Sequence, residues 1–252
     1  MERDIRRDIT RDIPKAREMI RDASRIFVLT GAGISAESGI PTFRGEGGLW
    51  QSYRPEELAT PMAFRRDPKL VWEWYDWRRS LIANAEPNTG HLALVQLENE
   101  KEGFSLATQN VDGLHQRAGS RNVLELHGNI WKLQCTGCGN ERIDYTVPLP
   151  ELPPQCECGA LERPGVVWFG EQLPKEVFQA ALHDAAESDL TLVVGTSALV
   201  RPAAGLAHEA LRAGRPVIEI NPDETSLTSN ATLSLHGPSG ELLPQLIPPH
   251  KS

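Results

Sequence analysis

The chain has 252 residues, 40% of them apolar and 24% charged, which suffices for one large α/β domain, or a large and a small one, around an ample core. A net charge of −8 argues against a general nucleic-acid binder, which needs a basic face to neutralise phosphates, and leaves room for a basic peptide partner. No stretch approaches the ~20 apolar residues of a membrane span, and Met1-Glu2-Arg3-Asp4 begins no secretory signal, so no membrane partner and a cytoplasmic location are expected.

Residues 3–13 repeat Arg-Asp-Ile three times at a four-residue interval. This places Ile5, Ile9 and Ile13 on one helical stripe, which Pro14 should interrupt, with the charges as a solvated face; this arm, residues 1–13, is assigned no chemistry. A helix from Pro14 to Ala23 should then deliver the chain to a buried strand, Ile26-Phe27-Val28-Leu29. The strand ends in Thr30-Gly31-Ala32-Gly33-Ile34-Ser35-Ala36. The spacing Gly31-x-Gly33-x-x-Ala36 fits the dinucleotide fingerprint: a tight turn, a close approach to pyrophosphate, and a helix whose unpaired N–H groups face the phosphates. The acid that should follow about 20 residues on, to hold the adenine ribose, is missing. Instead Ser38 to Gly48 is rich in Gly and Pro, so a nucleotide would not bind here as in a plain dehydrogenase.

From Arg54 to Ala85 the pattern is helical and aromatic, with Trp72, Trp74, Tyr75 and Trp77 as core candidates. Asn88 to Glu100 reads as an amphipathic helix. The strand Phe104 to Thr108 ends in Gln109-Asn110-Val111-Asp112, and the short strand Val123 to Leu126 ends at His127-Gly128. Beyond the cysteines come the run Val166 to Gly170, a helix from Lys175 to Glu187, and the strand Leu190 to Val194 ending in Gly195-Thr196-Ser197. A helix from Ala203 to Ala213 leads to the strand Val217 to Ile220, which ends in Asn221-Pro222-Asp223. Ala231 to Leu235 forms a last strand, and Gly237-Pro238-Ser239-Gly240 a closing turn. Four apolar strands thus finish in small-polar clusters at Gly31, Gln109, Gly195 and Asn221. Open parallel sheets bind ligands beyond the carboxyl ends of their strands, so these clusters should share one rim, with Ser197 and Asn221 reading the adenine ribose.

All four cysteines fall in one segment: Cys135-x-x-Cys138, 17 intervening residues, then Cys156-x-Cys158, with a glycine after each pair. In a reducing compartment this favours metal over disulfides. Four thiolates make a closed structural zinc site, with no position left for substrate.

Gly31-Ala32-Gly33-Ile34-Ser35 with Gly39-Ile40-Pro41-x-Phe43-Arg44, Thr108-Gln109-Asn110-Val111-Asp112, Leu126-His127-Gly128, the cysteine quartet, Val167-Trp168-Phe169-Gly170-Glu171 and Gly195-Thr196-Ser197 together resemble a sirtuin, an NAD-dependent protein-lysine deacylase, from about Arg25 to Pro244. The resemblance implies an α/β fold: a Rossmann-like parallel-sheet domain, discontinuous over 14–36, 86–127 and 166–252, and a smaller zinc-binding and helical domain over 37–85 and 128–165. NAD as co-substrate and an acyl-lysine protein or peptide would meet in the cleft between them. Nicotinamide leaves, the acyl oxygen attacks the ribose, and the acyl group finishes on ADP-ribose.

By the same resemblance His127 is the general base, with Asn110 as its catalytic neighbour. Gly31, Ala32, Gly33 and Ala36 cradle NAD, while Thr42, Phe43, Arg44 and Trp50 belong to a loop that covers its nicotinamide end. Gln109, Asn110, Val111 and Asp112 serve the nicotinamide ribose and carboxamide, and Gly195, Thr196, Ser197, Asn221, Pro222, Asp223 and Ser239 complete the cofactor contacts. Val167, Trp168, Phe169 and Gly170 resemble a segment that binds substrate as an added strand; the alternative is a buried strand of the protein's own sheet. His115 is left structural.

One departure from most deacetylases matters. Thr42 stands where they carry Asp, as in the branch that resembles desuccinylases and demalonylases. That branch also has Tyr and Arg three apart, matched by Tyr75-Asp76-Trp77-Arg78, and a small residue matched by Ala59. Positions i and i+3 share a helix face, so Tyr75 can donate one hydrogen bond while Arg78 pairs bidentately with an acyl carboxylate. The resemblance implies removal of succinyl and malonyl groups, with acetyl also accepted. Competing readings are a protein mono-ADP-ribosyltransferase, a hydride-transferring dehydrogenase and a non-catalytic NAD-sensing module; the oligomeric state, a monomer included, stays open.

Overall fold

The apolar runs between glycines become the strands of a single parallel sheet: β1 (Arg25–Thr30), β2 (Gly103–Thr108), β3 (Val123–Glu125), β7 (Leu190–Val194), β8 (Val217–Asn221) and β9 (Leu233–His236). In the computed structural model, which describes residues 2–43, 48–49 and 54–248, their order is β3-β2-β1-β7-β8-β9. Thr30 lies opposite both Thr108 and Val194, and Val194 opposite Ile220. The four strand ends expected to share a rim therefore do so.

Helices cover both faces, as burial of near-continuous apolar strands requires. On one face α1 (Glu2–Asp22), α6 (Thr89–Glu100) and α10 (Ser239–Leu246) pack over Val28, Leu106, Leu192 and Ile218; on the other, α8 (Lys175–Glu187) and α9 (Gly205–Arg212) pack over Phe27, Leu29, Val193 and Val217. A third apolar cluster stands apart. It joins α3 (Pro55–Leu58), α4 (Pro61–Arg66) and α5 (Pro68–Ala83) to a three-stranded antiparallel sheet of β4 (Gly128–Cys135), β5 (Glu141–Ile143) and β6 (Glu162–Val166), around the fully buried Trp72. The short α7 (Leu114–Ala118) contributes Leu114 to it. Among the described residues, no helix is long and apolar enough to cross a membrane.

Three expectations are corrected. Pro14 does not interrupt the first helix, which runs through it. The stripe of partly buried Ile13 and Met19 with buried Ala16, Ile20 and Ala23 holds the segment on the sheet against the ~3 kcal/mol cost of an internal proline. The helix α2 (Gly33–Ala36) after the glycine turn is a single turn, so little macrodipole stands behind the fingerprint, and the Gly31 and Gly33 amides already donate to the Val194 and Gly195 carbonyls. The closing turn at Gly237 to Gly240 instead opens α10, whose Leu242, Leu243 and Leu246 are buried although Pro244 lies inside it. Glu37 makes this helix possible by accepting the Gly240 N–H at 2.7 Å, a cap supplied from a distant segment.

Candidate active site

Beyond the strand ends lies one cavity of about 760 Å³, within the usual range of ligand clefts. Its rim is two turns in contact. The Gly33 N–H donates to the Gly195 carbonyl at 2.8 Å. A Cβ on Gly33 would stand 2.7 Å from the Gly195 Cα, and one on Gly195 2.4 Å from the Ile34 nitrogen. The glycines are thus needed first for turn-on-turn packing, a role the fingerprint did not announce. Gly31, Ala32, Gly33 and Ala36 line the cavity on one side and Gly195, Thr196 and Ser197 on the other; Gln109 donates its amide to the Thr196 hydroxyl at 2.9 Å across the seam.

His127 follows β3 and faces this space. Its Nδ1 lies 2.9 Å from the Gln109 carbonyl. A carbonyl only accepts, so Nδ1 carries the proton and Nε2 keeps its lone pair. Burial holds the His127 pKa below its ordinary value, partly offset by that carbonyl bond, so the ring is a neutral base near pH 7. Asn110 lies beside it, its orientation fixed by donation to the Ser35 hydroxyl at 3.1 Å. The Ser35 hydroxyl donates in turn to Asp112 at 2.8 Å, and Asp112 also accepts the Leu114 N–H at 2.8 Å. Asp112 is buried and does not line the cavity. Its carboxylate is committed to Ser35 and Leu114, and the Ser35 hydroxyl links it to Asn110 on the cavity wall. Ser35 was not singled out from the sequence, since its partners lie 75 and 77 residues away.

His115 is buried with Nε2 3.0 Å from the Thr30 hydroxyl, and its ring lies against that of His91 at 4.9 Å. It sits beneath the site as a structural residue.

Ala59, Tyr75 and Arg78 line the same cavity with Thr42, Phe43, Val111, Val167, Trp168, Phe169 and Gly170. Val167 to Gly170 lies outside any strand, after β6, so the alternative of a further buried strand falls away. Arg163 and Glu171 clamp this segment. Two guanidinium bonds of 2.6 and 2.8 Å join them, Glu171 accepts the Trp168 N–H at 2.8 Å, and the Arg163 guanidinium stacks 3.6 Å from the Trp168 ring. The Trp168 indole N–H donates to the Tyr75 hydroxyl at 3.0 Å.

The far wall was only half legible. Asn221, Pro222 and Asp223 line it as expected, and so do Glu224, Thr225, Ser226 and the segment Leu199 to Pro202, which carry no motif. Ser239 does not line the cavity; it is buried at the start of α10 with its hydroxyl directed to Glu37. Arg44 and Trp50 lie outside the described residues.

Cys135, Cys138, Cys156 and Cys158 converge, their sulfurs all within 4.8 Å of one another. Pairs at 3.4 and 3.8 Å suit a tetrahedron of ~2.3 Å zinc–sulfur bonds. The Cys138 N–H, with that of Gly137, holds the Cys135 thiol down to about 6. Positive φ at Gly139 and Gly159 lets each pair turn back on itself. The donor set fits a structural zinc.

Comparison with known proteins agrees with this geometry. The profile of the Sir2 family matches residues 31–202. An NAD-dependent protein deacylase of Aquifex aeolicus (strain VF5) is 62% identical over 209 residues, 82% of this chain and 87% of the relative. NAD-dependent protein deacylase 1 of Archaeoglobus fulgidus is 50% identical over 234 residues, 92% and 96% of the two chains. Among solved structures, a Sir2 homolog–NAD complex superposes with a TM-score of 0.88 at 50% identity, over 93% of this chain and 92% of that one. A Sir2–p53 peptide–NAD+ complex gives 0.84 at 31% identity, over 93% and 96%. On the length of the match and the identity of these relatives, the chain belongs to the Sir2 family.

Proposed function

We propose that this member of the family is an NAD-dependent protein-lysine deacylase whose acyl pocket is built for dicarboxylic groups, succinyl and malonyl, with acetyl also accepted. The observation that carries the acyl preference is Arg78. It is 6% exposed, opens on the cavity that holds His127, and has its guanidinium 4.8, 4.9 and 5.9 Å from the rings of Phe43, Trp74 and Tyr75. Among the described residues no carboxylate pairs with it. A buried guanidinium without an anion is costly, and burial accordingly lowers the Arg78 pKa; a ligand carboxylate offsets that cost with a bidentate pair. Tyr75 complements it. Because its oxygen accepts the Trp168 N–H, its own proton remains for the ligand, and burial raises its pKa so that the proton stays.

The remaining roles follow from the same cleft. The glycine turns and the Asn221 wall bind the dinucleotide, with Ser197 and Asn221 on the adenine ribose. Asn110 is oriented toward the nicotinamide end through Ser35 and Asp112. His127 takes a ribose hydroxyl proton at Nε2, with the Gln109 carbonyl holding the ring in the required tautomer. Val167 to Gly170 offers backbone to an extended peptide. Bound NAD supplies the ribose electrophile and the nicotinamide leaving group. The division into a sheet domain over 14–36, 86–127 and 166–252 and a smaller domain over 37–85 and 128–165 belongs to this reading, supported by the separate apolar cluster around Trp72.

Kinetics on succinyl-, malonyl- and acetyl-lysine peptides with NAD test it. The expected result is release of nicotinamide and O-acyl-ADP-ribose, with kcat/KM higher for the two acidic acyl groups. Higher efficiency on acetyl-lysine would reject the acyl preference. Label from NAD retained on protein would mark ADP-ribosyl transfer instead.

A further inference from the structure

Glu219 sits in the middle of β8, 1% exposed, and the functions described so far do not use it. Among the described residues no basic side chain pairs with it. Instead three hydroxyls converge on its two oxygens: Thr225, by a short bond to one, and Thr228 and Ser234, each at 2.7 Å to the other. A carboxylate removed from water without a cation is expensive unless hydrogen bonds replace the water.

Two of the three donors lie on the loop that follows β8, and each passes the constraint on. The Thr228 hydroxyl accepts the Thr225 N–H at 2.8 Å, and the Thr225 hydroxyl accepts the Leu227 N–H at 3.0 Å. Thr225 and Ser226 line the cavity, and the Ser226 hydroxyl reaches the Ala198 carbonyl at 3.3 Å, tying this loop to the turn after β7. Glu219 and Asn221 are two apart on one strand and so share a face of the sheet. The third donor, Ser234, belongs to β9 and does not line the cavity.

We propose that Glu219, acting through Thr225 and Thr228, is a positioning residue that presets the Asn221 to Ser226 wall for the nucleotide. The proposal rests on reading that wall as the side that binds the adenosine half of NAD. Glu219 touches no ligand itself; it fixes the loop before binding, so that ordering the loop is not charged against affinity.

The test is ADP-ribose binding by calorimetry, alongside KM for NAD and for the acyl peptide. Thr228→Val keeps the side-chain shape and removes the relay. It should weaken ADP-ribose by about three- to ten-fold, the scale of one lost hydrogen bond, and raise KM for NAD in step while KM for the peptide stays level. Glu219→Gln, the milder change if Thr228→Val folds poorly, should move the same constants in the same direction. Ser234→Ala removes a Glu219 partner outside the wall and should leave ADP-ribose binding unchanged. Equal weakening by Ser234→Ala and Thr228→Val, or no weakening by Thr228→Val and Glu219→Gln, overturns the proposal. Asn221→Ala separates the two levels: unchanged ADP-ribose binding there refutes the underlying reading of the wall, whereas weakened binding with an unaffected Thr228→Val refutes only the role of Glu219.

Discussion

Two adjacent arginines on α5 are both buried but keep different company. Arg79 is fully buried, with both terminal guanidinium nitrogens paired and Nε left without a hydrogen-bond partner. Its guanidinium donates to the Ile130, Asp144 and Thr146 carbonyls at 3.1, 2.8 and 2.9 Å, with the Asp144 carboxylate at 3.8 Å. Arg78 is almost as deep, with the rings of Phe43, Trp74 and Tyr75 about it and, among the described residues, no carboxylate in an ion pair with it. Taken alone, the pair Arg78-Arg79 does not distinguish the two, and neither does burial; only the resemblance carried by Tyr75-Asp76-Trp77-Arg78 sets Arg78 apart. Arg79 ties α5 to the Ile130, Asp144 and Thr146 backbone, whereas Arg78 opens on the cavity.

Substitutions should pull the two apart. The largest effect is expected of Arg79→Met, which strands three carbonyls and should cost about 3–5 kcal/mol of stability, the scale for breaking a buried ionic network, read by denaturant unfolding; Arg78→Met should cost far less by the same measure. A loss of equal size in both would erase the contrast. Next, Arg78→Met should lower kcat/KM on succinyl-lysine by about 2–3 kcal/mol of transition-state binding, as for a lost charge-assisted contact, with a much smaller change on acetyl-lysine. Equal losses on both substrates would remove the carboxylate role. Tyr75→Phe should follow the same pattern at about 1 kcal/mol, the value of one hydrogen bond.

The smallest expected effect is on the ratio of the two activities as pH varies. Arginine keeps its charge near neutrality, whereas His127 is a titrating base whose pKa burial lowers from the ordinary histidine value. The free base is therefore present at and above the ordinary histidine value of ~6.5 and is lost as pH falls below it. Both acyl-lysines should lose kcat/KM together on acidification while their ratio stays flat between pH 6 and 8. A ratio that moves with pH would place the titrating group in acyl recognition instead.

The sequence showed most where local pattern and function coincide. Apolar runs bounded by glycine gave the sheet, with β7 and α8 found to the residue, and the spaced cysteines and the strand-end clusters gave the metal site and the rim. What it concealed depends on partners distant in the chain. Pro244 disguised α10, whose cap arrives from Glu37, 203 residues away. Ser239 looked like part of the rim until that capping contact drew it aside. The link from Asp112 through Ser35 to Asn110 is visible only once α2 and the loop after β2 are side by side. Glu219, between Ile218 and Ile220, carries no motif, and its partners Thr225, Thr228 and Ser234 meet it only in the fold.

The pairing of β1 between β2 and β7 has a consequence for how the chain is made. Its earliest strand must wait for residues 190–194 before one of its two neighbours exists, and the grip of Gly33 on Gly195 cannot close until about three quarters of the polypeptide has left the ribosome. Long-range parallel pairings of this kind assemble slowly. The nucleotide's seat is consequently among the last features of the newborn protein to be completed, and changes that delay residues 190–221 should lower the yield of active molecules before they alter any finished one.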